Sequence, residues 1–172
     1  MTSRIEPVIK AAAWGILYLI LGLLIGFASK WLDLNNEFFG KLLSRIMIWF
    51  VICTAIAVYS KRPLNAACNV FAFCIGMLTA YYLVACLWDA VWGKAFMYGW
   101  TAFSFCSPVF AFITWYAKGK GAFALLLKLG VMFVSMAAEA VLFGFRWYNV
   151  LLLLLLAYIL FEKRSWKRAN NT

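Results

Sequence analysis

The stretch "KLGVMFVSMAAEAVLFGFRW", Lys128 to Trp147, sets a lysine and a glutamate into a largely apolar run that closes on Arg146. The solvent around such a run decides the fold, because a charge that is routine on a wet surface is costly in hydrocarbon. Composition identifies the solvent. Hydrophobic residues make up 67% of the 172-residue chain and charged residues 13%, against about 45–50% and about 25% in soluble domains. A small soluble domain leaves too much of its surface in water to hide that many apolar side chains. The solvent is lipid, and the chain's expected partner is the bilayer.

Outward from that stretch, six apolar runs can be marked: residues 11–28, 42–59, 66–88, 95–117, 122–143 and 147–161. Most approach the ~17–25 residues that a spanning helix needs. The sixth is the shortest, so its span either draws on its flanks, Phe145 and Lys163, or sits in thinned bilayer. The runs are too long and too uniformly apolar for barrel strands, and a helix satisfies its own backbone in lipid. The expectation is an all-α, polytopic membrane protein: a single domain over residues 1–172, built as a six-transmembrane-helix bundle with short loops.

The +10 formal charge is spread over the ends of the apolar runs, so it reports topology and offers no patch for nucleic acid. Unopposed basic residues recur at the N-terminus (Arg4, Lys10), in "SKRPLN" (Lys61, Arg62), in "AKGKG" (Lys118, Lys120) and in the tail (Lys163, Arg164, Lys167, Arg168). Lysine and arginine concentrate on the cytoplasmic side, so both termini are expected there, in a multi-pass protein of the cell membrane. The first run is too long for a signal-peptide core and lacks a clear cleavage site, which makes it an expected span. The longest connection, "SKWLDLNNEFFGK", alternates Trp31, Leu34, Phe38 and Phe39 with polar residues and reads as an interfacial segment or a linker with interfacial anchors.

Helical periodicity assigns faces. Ala11, Gly15, Gly22, Gly26 and Ser29 share one side of the first run; Gly15, Gly22 and Gly26 form the expected helix-packing face, against this chain or another subunit. Thr101, Ser104, Pro108, Ala111 and Trp115 share a side of the fourth. Pro108 cannot donate to the carbonyl four residues back, so a kink is expected near Ser104. Such a face suits either a solute cavity or hydrogen bonds between helices. In the third run, Asn69 is expected to bond a neighbouring helix, and Asp89 lies between Trp88 and Trp92 at an aromatic belt, either lining a site or solvated at a helix end.

Lys128 and Glu139 are eleven positions apart, within about 20° of one face but about 16 Å along the axis. They cannot pair. Ser135 lies between them on that face. Lys128 can snorkel to the headgroups on its long stem, whereas Glu139 has to face the bundle or water, with Arg45 as the ionic partner nearest in depth and Arg146 as the one nearest in sequence. The candidate polar site is therefore Glu139, Arg45, Ser135, Ser104, Thr101 and Asp89; the other reading of Glu139 is a structural salt bridge.

No histidine and no acidic cluster are present, so neither a metal nor another cofactor is expected. Cys53, Cys68, Cys74, Cys86 and Cys106 show no C-x-x-C spacing and read as small apolar packing residues. Zincin, G-x-S-x-G and paired-carboxylate signatures are lacking, which argues against a membrane-embedded enzyme. Two other classes stay open. One is a small-solute transporter, or the solute-binding membrane subunit of one, drawing on an ion gradient or an energising protein partner; the other is a structural or regulatory subunit. With six spans in about this length and small residues on the first, the chain resembles in outline the substrate-binding subunits of energy-coupling-factor vitamin transporters. That resemblance implies a solute-binding role.

Overall fold

The computed structural model describes residues 2–89 and 93–162, with side-chain placement from Ile9 onward except at Glu37. Trp92 and the basic tail residues Lys163, Arg164, Lys167 and Arg168 lie outside the described residues, as does the side chain of Arg4. Among the described residues every regular element is a helix, and there are seven: α1 (Thr2–Asn35), α2 (Glu37–Leu43), α3 (Ile46–Tyr59), α4 (Pro63–Leu87), α5 (Lys94–Ala117), α6 (Ala122–Phe143) and α7 (Trp147–Phe161). Four of them, α1, α4, α5 and α6, are long and apolar enough to cross a membrane. The protein is a polytopic, all-α membrane protein.

The expected six-transmembrane-helix bundle is corrected by that finding. α3 has 14 residues and α7 has 15, so they rise only about 21 and 22 Å, short of the ~30 Å hydrocarbon layer. The run at residues 42–59 splits because Arg45 takes an extended backbone (φ −85°, ψ 136°) as the N-cap of α3, leaving Leu42 and Leu43 to α2. The long first connection is also mostly helix. α1 continues to Asn35, and Asn36 starts α2 by accepting the amides of Phe38 and Phe39 at 3.0 and 3.3 Å on its side-chain oxygen. That is ordinary N-capping chemistry for asparagine.

Burial along α6 is inverted relative to a soluble helix. Its buried residues are Ala124, Lys128, Ser135 and Glu139, while Phe133 is 73% and Val141 84% exposed. Hydrocarbon solvates the apolar face, and the polar groups turn inward to find partners.

The chain divides into two compact units, Met1–Leu42 with Ala67–Pro108, and Leu43–Ala66 with Val109–Thr172. In the first unit α1 and α4 meet almost backbone to backbone. A Cβ on Gly22 would overlap the Phe73 carbonyl, one on Gly26 the Met77 carbonyl, and one on Gly76 the Leu19 carbonyl. The pairs advance together along both chains, so the two helices run parallel. Gly15 takes no part, since a Cβ there would meet nothing within 4 Å. α4 is the more enclosed partner, with Val70, Phe73, Cys74 and Met77 buried, whereas Leu17, Leu21 and Leu24 of α1 are exposed.

The second unit packs α3, α6 and α7 around Val51, Val58, Leu156, Ile159 and Leu160, together with Ala117 at the end of α5. Ser60, which follows α3, and Lys118, which follows α5, touch at one end of this unit. Arg45, before α3, and Gly144, after α6, touch at the opposite end.

Candidate polar site in the second unit

Glu139 is fully buried and both of its carboxylate oxygens are engaged. Oε1 accepts from Nη1 of Arg45 at 2.9 Å, and Oε2 accepts the backbone amide of Met47 at 3.1 Å. Met47 lies in the first turn of α3, so a carboxylate from α6 neutralises the amide-rich end of another helix. Arg45 reciprocates. Its Nη1 donates to the Gly144 carbonyl at 3.1 Å, beyond the last turn of α6, where a cation complements the exposed carbonyls. Gly144 can present that carbonyl because it sits at φ 75°, a region open to glycine at no steric cost. The guanidinium also stands 5.1 Å from the centre of the Tyr148 ring and 5.8 Å from that of Phe143. The Arg45–Glu139 pair thus joins the start of α3, the end of α6 and the start of α7.

Ser135 is fully buried one turn before Glu139, and its hydroxyl donates to the Met132 carbonyl at 2.9 Å. Lys128, two turns further back, lies with its ammonium 4.6 Å from the centre of the Phe161 ring, towards the other end of the unit.

Asn149 went unmarked in the sequence reading. It is fully buried in the first turn of α7, and among the described residues neither its amide oxygen nor its amide nitrogen has a hydrogen-bond partner. α6 and α7, joined by the connection 144–146, run antiparallel: Tyr148 stands beside Arg45, the partner of Glu139, and Phe161 beside Lys128. Asn149, two residues into α7, therefore lies at the level of the last turns of α6, where Glu139 is. One signal was available: it is the single amide in "WYNVLLLLLLAYILF".

The remaining candidates belong to the first unit. Ser104 is fully buried and its hydroxyl has no partner among the described residues, while its carbonyl accepts from the Ser107 hydroxyl at 2.8 Å. That carbonyl is the one Pro108 leaves without an amide donor, so Ser107 replaces the missing bond and α5 runs on unbroken to Ala117. Thr101 is half-buried one turn earlier. Asp89 is exposed and has φ 45°, just past the end of α4, a conformation that Asp tolerates better than most residues. A further polar cluster appears where the sequence suggested an interfacial segment. Lys30, only 3% exposed, pairs with Asp33 at 2.7 Å, and Asp33 also accepts from the Tyr81 hydroxyl at 3.2 Å.

Among the described residues, no group of three or more His, Cys, Asp or Glu could hold a metal. Of the five cysteines only Cys74 is buried; Cys68, Cys86 and Cys106 are exposed and Cys53 is half-buried, so core packing explains one of them. No protein-family model, curated protein or solved structure matches the chain. The outline resemblance to vitamin-transporter subunits rested on six spans, and it falls with them.

Proposed function

We propose that the protein binds a small polar solute inside the second unit, at the level of Asn149, as a transporter or as the solute-binding membrane subunit of one. The carrying observation is the Asn149 amide, a buried donor and acceptor without partners among the described residues, in a low-dielectric interior. Leaving such a group unsatisfied costs about 1–3 kcal/mol, and a solute with a complementary donor and acceptor removes that cost. Binding rather than catalysis is also the better reading of Glu139. With both oxygens occupied by the Arg45 guanidinium and the Met47 amide, its carboxylate is poorly placed to move protons.

The same occupancy favours a second reading, a structural or regulatory subunit in which Arg45 and Glu139 only fasten helices. Mass spectrometry of small molecules retained by the protein in mild detergent separates the two. Under the solute reading, the parent carries a polar compound that Asn149→Leu loses while remaining folded. A parent without bound solute, and an Asn149→Leu variant more stable than the parent, would establish the structural reading.

Both termini are proposed to be cytoplasmic. The second unit carries Lys61, Arg62, Lys118 and Lys120 at the end where Tyr59 donates to Glu162, the last described residue. α1 runs parallel to α4, so the chain starts on the side from which α4 starts, next in sequence to Lys61 and Arg62. The positive-inside preference supports the cytoplasm for that side.

A further inference from the structure

Independently of the solute reading, the basic end of the second unit shows the features of an anion site. The Ser60 carbonyl accepts from the Trp115 indole at 3.0 Å and from the Lys118 ammonium at 3.1 Å. These two bonds clamp the connection after α3 onto the last turn of α5 and the connection that follows it. Lys118 is only 5% exposed, with its ammonium 3.8 Å from the centre of the Trp115 ring. It has no carboxylate partner among the described residues. A carbonyl and a ring face solvate a cation in part but do not neutralise it.

The clamp brings Lys61 and Arg62, which directly follow Ser60, to the same end as Lys118 and Lys120. Lys61, Arg62 and Lys120 are exposed. α4 and α6 both begin here and are long helices, of 25 and 22 residues. Gly121 gives α6 no side-chain cap, and Pro63 opens α4 without an amide hydrogen. The free amides of both first turns add positive potential at this end. Among the described residues Glu162 is the carboxylate at this end, engaged by the Tyr59 hydroxyl, and the basic residues there outnumber it.

We propose that Lys61, Arg62 and Lys118, where the α3–α4 and α5–α6 connections meet, form a binding site for a phosphate anion, presented as the headgroup of an anionic phospholipid. The exposed Lys61 and Arg62 contact the phosphate, and Lys118 beneath them supplies a fixed positive charge that water does not screen. The end of a helix bundle is where headgroups lie, which suits a lipid phosphate over a soluble one.

The test is native mass spectrometry of the full chain in mild detergent, titrated with phosphatidylglycerol, phosphatidylcholine or inorganic phosphate. Phosphatidylglycerol should bind in preference to phosphatidylcholine. The Lys61→Gln/Arg62→Gln double variant, altered only at exposed positions, should weaken binding roughly 25-fold, about five-fold for each charge. Lys118→Met should weaken it roughly five-fold, with Lys118→Arg restoring it. Displacement of the lipid by inorganic phosphate, with the same dependence on Lys118, keeps the site and identifies the free anion as an alternative source of the phosphate. Equal retention of the two lipids, or a double variant that binds phosphatidylglycerol as the parent does, overturns the proposal.

Discussion

The two units hold their helices together by opposite means. In the first, α1 and α4 touch through the missing side chains of Gly22, Gly26 and Gly76, so attraction comes from backbone surfaces in close contact. In the second, α3, α6 and α7 are fastened where a buried arginine and a buried glutamate reach across to each other's helix ends. Lipid explains why both solutions occur. Apolar side chains gain little by leaving hydrocarbon for a helix interface, so association needs either close contact or a polar bond that lipid cannot supply. The first kind of joint fails by steric bulk, and the second by loss of a charge.

The largest effect should come from breaking the second joint on one side only. Arg45→Met leaves the Glu139 carboxylate buried without its counter-charge and should lower stability by about 3–5 kcal/mol, read as a fall in the unfolding midpoint in detergent. Adding Glu139→Gln should recover most of the loss, because a neutral amide can still meet the Met47 amide. If the double variant is as unstable as the single, the pair is not what holds this end together.

Next comes steric bulk in the first unit. Gly22→Leu forces α1 away from the Phe73 carbonyl and should cost about 3 kcal/mol, the upper end of ordinary overpacking. Gly15→Leu should stay within about 0.5 kcal/mol of the parent, since its surroundings are open. Equal losses at the two positions would show that lipid exposure of glycine, and not the α1–α4 contact, sets the sensitivity.

The smallest effect is in pH. Burial pushes the Lys118 ammonium down from 10.5 to about 8. Below pH 8 the folded and unfolded chains both hold this proton, and the burial penalty is constant. Between about 8 and 10.5 the folded state binds fewer protons, so stability rises with pH, and above that window it levels off. Thermal unfolding of the parent across this range should therefore show a gain that Lys118→Met lacks. Identical profiles would mean that the ammonium is solvated well enough to titrate normally.

Much of this contrast was legible in part. The spacing of Gly22 and Gly26 marks a face that permits close approach, but nothing local says that Gly15, in phase with them, lies beyond the crossing point with α4. Glu139 stood out as the residue hardest to leave in lipid, and Arg45 as a partner at matching depth. That Glu139 also caps α3 depends on a residue 92 positions away. An asparagine in a first helical turn is commonplace in sequence, and only its burial makes Asn149 unusual. Lys118 read as a topological marker, since a lysine after an apolar run is the ordinary signal of a membrane boundary.

The sequence by itself determined the solvent and the class of structure. A chain 67% hydrophobic in runs of this length has no other way to satisfy its backbone than as helices in lipid. It did not determine where those helices stop. Apolar character continues from Leu42 through Tyr59, yet the backbone turns extended at Arg45, where the Met47 amide of α3 meets the Glu139 carboxylate of α6 and the Arg45 guanidinium meets the Gly144 carbonyl. Hydropathy is a property of each residue and can be read along the chain. Helix ends in a membrane leave unpaired amides and carbonyls that water does not reach, and which groups satisfy them is decided only once distant segments have come together.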